Sequence, residues 1–186
     1  MYTNRRRPTR AWLSATLAIA LPLALTFPAG AACAQADTGP DDATIVAIFD
    51  AANTADMETG QLAAERSRSQ EVKDYGAMLV RNHRQVRQMG RDLAAKLGVT
   101  PTPPKDDQGA RDHALAMRRL REVPAADFDR AFLQHEVAFH KAVLDAMNST
   151  LIPAIDNAEL KELVEKVAPA FQAHMMAAQA LLDKVD

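Results

Sequence analysis

Residues 70–97 read QEVKDYGAMLVRNHRQVRQMGRDLAAKL. Within this stretch Val72, Gly76, Leu79, His83, Val86, Gly90, Leu93 and Leu97 recur at steps of four, three, four and three. A helix with 3.6 residues per turn brings those positions onto one face. The spacing is that of a helix packed at a shallow angle in a bundle. Ser69 can cap its start, and Gly98-Val99-Thr100-Pro101-Thr102-Pro103-Pro104 ends it. Gly76 and Gly90 each cost about 1 kcal/mol of helix propensity. A closely approaching neighbour backbone would explain both.

The same reading extends outward. Residues 43–67 form a helical segment with Ile48, Ala51, Ala55 and Leu62 on one face. After the Pro-rich connection, 108–122 reads as a short amphipathic segment with Leu115 and Leu120, and Pro124 restarts the chain. Residues 125–149 show the stripe Leu133, Val137, His140, Leu144 and Met147. Pro153 breaks the pattern, and Asp156 with Glu159 resembles a capping box. Residues 157–185 then carry Leu160, Val164, Val167, Phe171, His174, Ala178, Leu181 and Val185 on one face, with a kink expected at Pro169. No strand pattern competes. The expected fold is all-α: a ferritin-like four-helix bundle with one long crossover between the second and third long helices.

The 186 residues hold 22 Lys+Arg, 24 Asp+Glu, a 48% hydrophobic share and one Cys. This excludes a disulfide scaffold, a Cys-rich zinc site and a disordered chain. The near-neutral balance gives no electrostatic footprint for nucleic acid. The charge is unevenly placed, however. Arg5, Arg6, Arg7 and Arg10 precede an apolar run from Ala11 to Phe27, and residues 1–36 contain no acid. Small residues follow, ending in Ala34-Gln35-Ala36. That order is a secretory signal peptide over 1–36 with a mature domain over 37–186. The mature 150 residues carry 18 basic against 24 acidic groups. The expected location is periplasmic. An uncleaved anchor and lipidation at Cys33 are the rival readings, each with a weaker motif. Cleavage leaves no membrane span, and an envelope protein or a second copy of the chain is the expected kind of partner.

Three of five histidines, His83, His140 and His174, fall inside apolar stripes. Glu58 lies beside the Leu62 stripe, Glu65 two turns further on, and Glu136 one turn before His140. An antiparallel bundle can bring one such group from each helix to a common level. Glu58, His83, His140 and His174 are therefore the candidate metal ligands, with Glu136 and Glu65 as secondary candidates. Such donors suit a single ion of zinc, iron, copper or manganese. The competing reading is a structural polar network, since burying several polar groups without partners is costly. The di-iron pattern needs a Glu three residues before a His on two helices. Val80 and Phe171 hold those positions before His83 and His174. A weak internal repeat pairs Glu58 with His140 and His83 with His174. His113 and His135 read as boundary residues, and Met57, Met147, Met175 and Met176 as flexible filler. No nucleophile triad and no phosphate-binding loop is present.

The segments 57–65, 71–76, 78–83 and 128–132, the pair His140-Lys141, and Glu159-Leu160-Lys161 running on to Pro169 and His174 resemble one bacterial family. It is the domain-of-unknown-function family of exported ferritin-like proteins, often labelled outer-membrane protein. The resemblance spans about residues 43–183. It implies a ferritin-like bundle of the cell envelope with no established activity, and by analogy a link to stress. Its recurring histidines match His83, His140 and His174, and its glutamate on the first helix matches Glu58. An outer-membrane barrel would need alternating strands, and the sequence has none. The expectation is an exported, non-enzymatic four-helix protein whose inner His/Glu cluster is structural or holds one ion. A metal-dependent redox or metal-handling protein and an envelope adaptor are the alternatives.

Overall fold

The computed structural model describes residues 39–185. The segment read as a signal peptide lies outside the described residues. Four long helices and one shorter helix dominate: α1 (Asp42–Arg66), α2 (Gln70–Leu97), α3 (Gln108–Glu122), α4 (Phe128–Ala146) and, after a π-helical turn at Met147–Leu151 and the single turn α5 (Ile152–Ala154), α6 (Ala158–Leu182). The fold is all-helical, and no described helix is long and apolar enough to cross a membrane.

Local chemistry sets the boundaries. The Asp41 side chain accepts from the Thr44 N–H at 2.8 Å to start α1, and Ser69 caps α2 through the Val72 N–H. Gly98, at φ 67°, ends α2 in the left-handed conformation, with the Val99 N–H returning to the Ala94 carbonyl at 2.9 Å. The cap of α6 is Asn157 rather than Asp156: its side chain accepts from the Glu159 and Leu160 N–H groups at 2.9 and 3.1 Å. The Asp156 and Asn157 N–H groups instead donate to Asp42, tying the starts of α1 and α6 together. α4 stops at Ala146, where the chain widens into the π turn and Met147 enters the core. Pro169 is accommodated inside α6.

The inner face of α1 is only partly the one expected. Ala55 and Leu62 are buried, but Ile48 is only half-buried and Ala51 is exposed. A buried stripe runs through Ile45, Phe49, Asn53, Asp56, Gly60 and Ala63, stepping four, four, three, four and three. Two polar residues interrupt that stripe, which hides it from a search for apolar side chains alone.

The core has two apolar ends and a polar waist. One end gathers Ile45, Phe49, Leu160, Val164, Val167 and Phe171. The other gathers Leu62, Val72, Leu79, Phe128, Phe132 and Leu133. α1 and α6 begin at the first end, α2 and α4 at the second. Each helix therefore runs antiparallel to its hairpin partner, and the parallel pair α2 and α4 requires the long crossover. That crossover is anchored to the bundle. The Arg66 guanidinium donates to the carbonyls of Leu120, Arg121 and Val123 at the end of α3 and lies 4.9 Å over the Phe128 ring. The Thr102 N–H donates to the Ala43 carbonyl.

Candidate metal centre

Every long helix of the bundle sends polar side chains into the waist. α1 supplies Asn53, Asp56 and Thr59, α2 His83, α4 Glu136 and His140, and α6 His174; all are buried. The placement follows from helix geometry. Asn53 and Asp56 are three residues apart and Glu136 and His140 four, so each pair shares a face. His83 and His174 continue the apolar stripes of their helices. Phe171 closes the layer from one side, its ring centroid 5.0 Å from that of His83 and 5.8 Å from that of His140.

The ring nitrogens converge. His83 Nε2 lies 3.1 Å from His174 Nδ1 and 3.4 Å from Asp56 Oδ2, and His140 Nε2 lies 3.8 Å from Asp56 Oδ1. One nitrogen from each imidazole falls within 4.8 Å of the others. A second triple, Asp56, Glu136 and His140, meets the same bound. Ligands on a tetrahedral ion with bonds of about 2.05 Å stand about 3.3 Å apart. The direct separations of 3.1, 3.4 and 3.8 Å lie around that spacing, and the members of each triple lie within 4.8 Å of one another.

Outer hydrogen bonds decide which nitrogen faces inward. Asn53 Nδ2 donates to the Phe49 carbonyl at 2.8 Å, which leaves Asn53 Oδ1 to accept from His83 Nδ1–H at 2.9 Å. His83 Nε2 is then a lone pair aimed at the waist. His140 Nδ1–H donates to the Glu136 backbone carbonyl at 3.0 Å, so His140 Nε2 is likewise a lone pair. Fixing one ring nitrogen with an acceptor so that the other is basic is how proteins orient imidazole ligands. Tyr75 supports the fourth helix, its hydroxyl donating to the His174 carbonyl at 3.1 Å.

The electrostatics agree with this geometry. Burial, then the neighbouring His174 and His140, lower His83 to about 2. Burial, the backbone bond to Glu136 opposing it, lowers His140 to about 4. Burial also lowers His174. All three are therefore neutral at pH 7, the state that binds metals. Asp56 moves the other way: burial and the facing Glu136 hold it well above the usual carboxylate range. Burial lifts Glu136 to about 7, with Thr59 and Asp56 limiting the rise. Without a cation, the pair retains protons. Among the described residues, both oxygens of Asp56, both of Glu136 and His140 Nε2 are buried without a well-formed hydrogen bond, the retained proton between Asp56 and Glu136 and the Thr59 hydroxyl being the partners within reach of the carboxyls. Each such atom normally costs about 1–3 kcal/mol.

Of the residues singled out from sequence, His83, His140, His174 and Glu136 meet in the waist. Glu58 does not. Its half-exposed carboxylate pairs with His113 Nε2 at 2.8 Å on the outside of the bundle. Glu65 is exposed and accepts from Gln61. Asp56 takes the place expected for Glu58, because two residues turn a helix by about 200°. Asp56 and the orienting Asn53 were missed because a neighbouring, only partly buried α1 face was followed. Their signal was two short polar residues within the stripe from Ile45 to Ala63.

The molecule is thus an all-helical bundle with a buried imidazole–carboxylate cluster at its middle. The chain belongs to the family described as a domain of unknown function, DUF4142, whose pattern matches residues 27–181. A crystal structure of a DUF305 fragment from Deinococcus radiodurans has a similar fold, with TM-score 0.67 and 14% identity over 76% of this chain and 95% of that one. CopM in its Cu(II)-bound form is also similar, with TM-score 0.60 and 12% identity over 78% of this chain and 98% of that one. At such identities the likeness speaks for the fold. No curated protein matches the sequence.

Proposed function

We propose that this protein holds one divalent transition-metal ion in the waist of its bundle, through His83 Nε2, His140 Nε2, His174 Nδ1 and the Asp56 carboxylate. Glu136 stands beside the site as a fifth donor or as the group that takes up a displaced proton. The observation that carries this reading is the convergence of one nitrogen each from His83, His140 and His174 within 4.8 Å, beside a second such triple of Asp56, Glu136 and His140. A cation held there offsets the charge of the two carboxylates. Imidazole with carboxylate suits Cu(II) and Zn(II) well, and the similar CopM occurs in a Cu(II)-bound form.

The role is metal handling rather than turnover of a substrate. His174, at 6% exposure, is the most accessible of the five donors, and the other four are at 0–1%. An ion enclosed in this way has no coordination site open to a substrate. We further propose that the chain is exported, the basic, apolar and small-residue order of residues 1–36 acting as a cleaved leader. Cell fractionation beside a variant lacking Arg5, Arg6 and Arg7 tests export; equal recovery from the periplasm would count against it.

The metal reading is tested by competition titration of Cu(II) and Zn(II) into the full chain and its His83→Ala/His174→Ala variant. The expected result is one equivalent bound by the parent and an affinity loss of more than about 100-fold in the variant, with far-UV helicity retained. Equal stoichiometry and affinity in the two proteins would sink the site.

A further inference from the structure

We propose that Asn82 is a positioning residue that biases the tautomer of His174 and so opens or closes the waist to a metal ion. The inference rests on the site proposed above and concerns how that site is controlled.

The waist is threaded by one hydrogen-bond chain whose directions can be followed from its fixed end. The Phe49 carbonyl accepts from Asn53 Nδ2, and Asn53 Oδ1 accepts from His83 Nδ1–H. His83 Nε2 therefore carries no proton. It lies 3.1 Å from His174 Nδ1, so the proton between them belongs to His174. A neutral His174 then has a bare Nε2, and that atom lies 3.0 Å from the Asn82 amide nitrogen, which donates to it. The other amide hydrogen faces Met78 Sδ at 3.0 Å. Every link is consistent with one tautomer: His174 protonated on Nδ1.

In that tautomer the waist is closed. His174 Nδ1 presents a hydrogen where a ligand lone pair is needed, and that hydrogen occupies His83 Nε2 as well. Two of the three imidazoles are thus withdrawn from coordination by a single proton. Opening requires that Nδ1 release its proton to solvent while Nε2 takes one up, leaving the ring neutral. An Nε2–H needs an acceptor. A half-turn of the Asn82 amide brings Oδ1 to that position, at the cost of the contact with Met78. Asn82 is exposed and free to turn, whereas Asn53, the corresponding residue at the other end of the chain, is buried and locked onto a carbonyl. The two asparagines therefore divide the work: Asn53 fixes the tautomer of His83 and through it favours Nδ1–H at His174, and Asn82 supports that tautomer or, turned over, the opposite one.

The test reads the imidazole nitrogens of the 15N-labelled full chain by long-range proton–nitrogen correlation, metal-free and with Zn(II). The empty parent should show a protonated Nδ1 and a bare Nε2 at His174, and Zn(II) should reverse the two. Asn82→Asp offers only acceptors. It should display Nε2–H at His174 before any metal is added and bind Zn(II) about tenfold more tightly. Asn82→Ala removes the partner of Nε2 but leaves His83 Nε2 as the acceptor for Nδ1–H, so it should keep the parent's tautomer in the metal-free protein. An empty Asn82→Asp protein with the parent's tautomer overturns the proposal even if Zn(II) binds more tightly, because added charge alone would do that. A Zn(II)-loaded parent that keeps the Nδ1 proton overturns it as well. The metal-free spectra judge tautomer control without any ion, so failure of the parent to bind Zn(II) would reject the metal reading separately.

Discussion

The two hairpins of the bundle meet at the same waist but are packed by different means. Along α1 and α2 the seam is built from small residues. A methyl group on Gly76 would lie 2.6 Å from the Gly60 carbonyl oxygen and 2.9 Å from the Ala63 side chain, and one on Gly60 would lie 2.7 Å from the Gly76 oxygen. On α4 and α6 the large buried side chains are the rings of Phe128, Phe132 and Phe171. In this hairpin α1 supplies the short Asn53 and Asp56, and α2 supplies His83. The ring-packed hairpin supplies the longer Glu136, with His140 and His174. The difference shows how the waist is stocked: the tight hairpin holds the orienting Asn53–His83 pair and Asp56, and the ring-packed one holds Glu136 with two imidazoles.

The largest expected effect is on the ring-packed side. Glu136 has its folded value raised to about 7 from an ordinary 4.5, chiefly by burial. The folded protein therefore binds more protons than the unfolded chain between those values. Its stability falls as pH rises through that window and stays reduced above it. Asp56, raised in the same direction, extends the fall to higher pH. For Glu136 the conversion amounts to about 3 kcal/mol. The buried histidines, all lowered, act the other way below their ordinary value of 6.5, so the carboxyl effect is read as a difference: from pH 5 to pH 8 metal-free parent should lose melting temperature relative to Glu136→Gln. Saturating Zn(II) should reverse that trend, because the ion replaces the protons. Parallel melting curves for parent and variant across pH 4.5–8 would show that the carboxyl pair is not what strains the waist.

The tight hairpin comes next. The obstacle to a side chain at Gly76 is backbone, which cannot swing aside, so Gly76→Ala must push α1 from α2. Strain of about 3 kcal/mol against a propensity gain of about 1 kcal/mol leaves a net loss of about 2 kcal/mol. A domain of this size should then melt about 4–8 °C lower. At Gly90 the obstacle is the Phe49 ring, 2.8 Å from the added methyl, and a ring can turn. Gly90→Ala should therefore cost less than Gly76→Ala in the same melting experiment. The reverse order would mean that the Gly60–Gly76 crossing does not set the spacing of the hairpin.

This contrast also explains what could be read from the sequence. The bundle was legible because α2, α4 and α6 carry uninterrupted stripes, and because Gly98 and the prolines after it mark the one connection too long for a turn. The three histidines were legible for the same reason: each continues a stripe. The glycines of α2 were visible as a cost with no visible return, since the return lies on another helix: the Gly60 backbone at Gly76 and the Phe49 ring at Gly90. α1 was misphased because its buried face contains Asn53, Asp56, Thr59 and Gly60, which lower its apparent hydrophobicity. Of the face read as apolar by residue type, Ala55 and Leu62 pack into the core while Ile48 and Ala51 do not. Residue type could not show that Asn53 orients His83, because that depends on an amide held by the Phe49 carbonyl in the folded helix.

The smallest expected effect tests that misphasing directly. Glu58 and Asp56 are both acidic residues of α1, two positions apart, yet only Asp56 faces the waist. Glu58 pairs with His113 across an exposed surface, where such pairs are worth about 0–1 kcal/mol. Glu58→Gln keeps an acceptor for His113, so its melting temperature should stay within about 2 °C of the parent and its Zn(II) affinity should not change. Asp56→Asn keeps the shape of the buried side chain but removes its charge, and it should lower that affinity by at least about tenfold. Comparing the two isolates direction around the helix from charge, because each removes one carboxylate from nearly the same height on α1. If Glu58→Gln were the variant that loses the ion, the donor from α1 would have to come from its outer face, and the waist as described would not be the site.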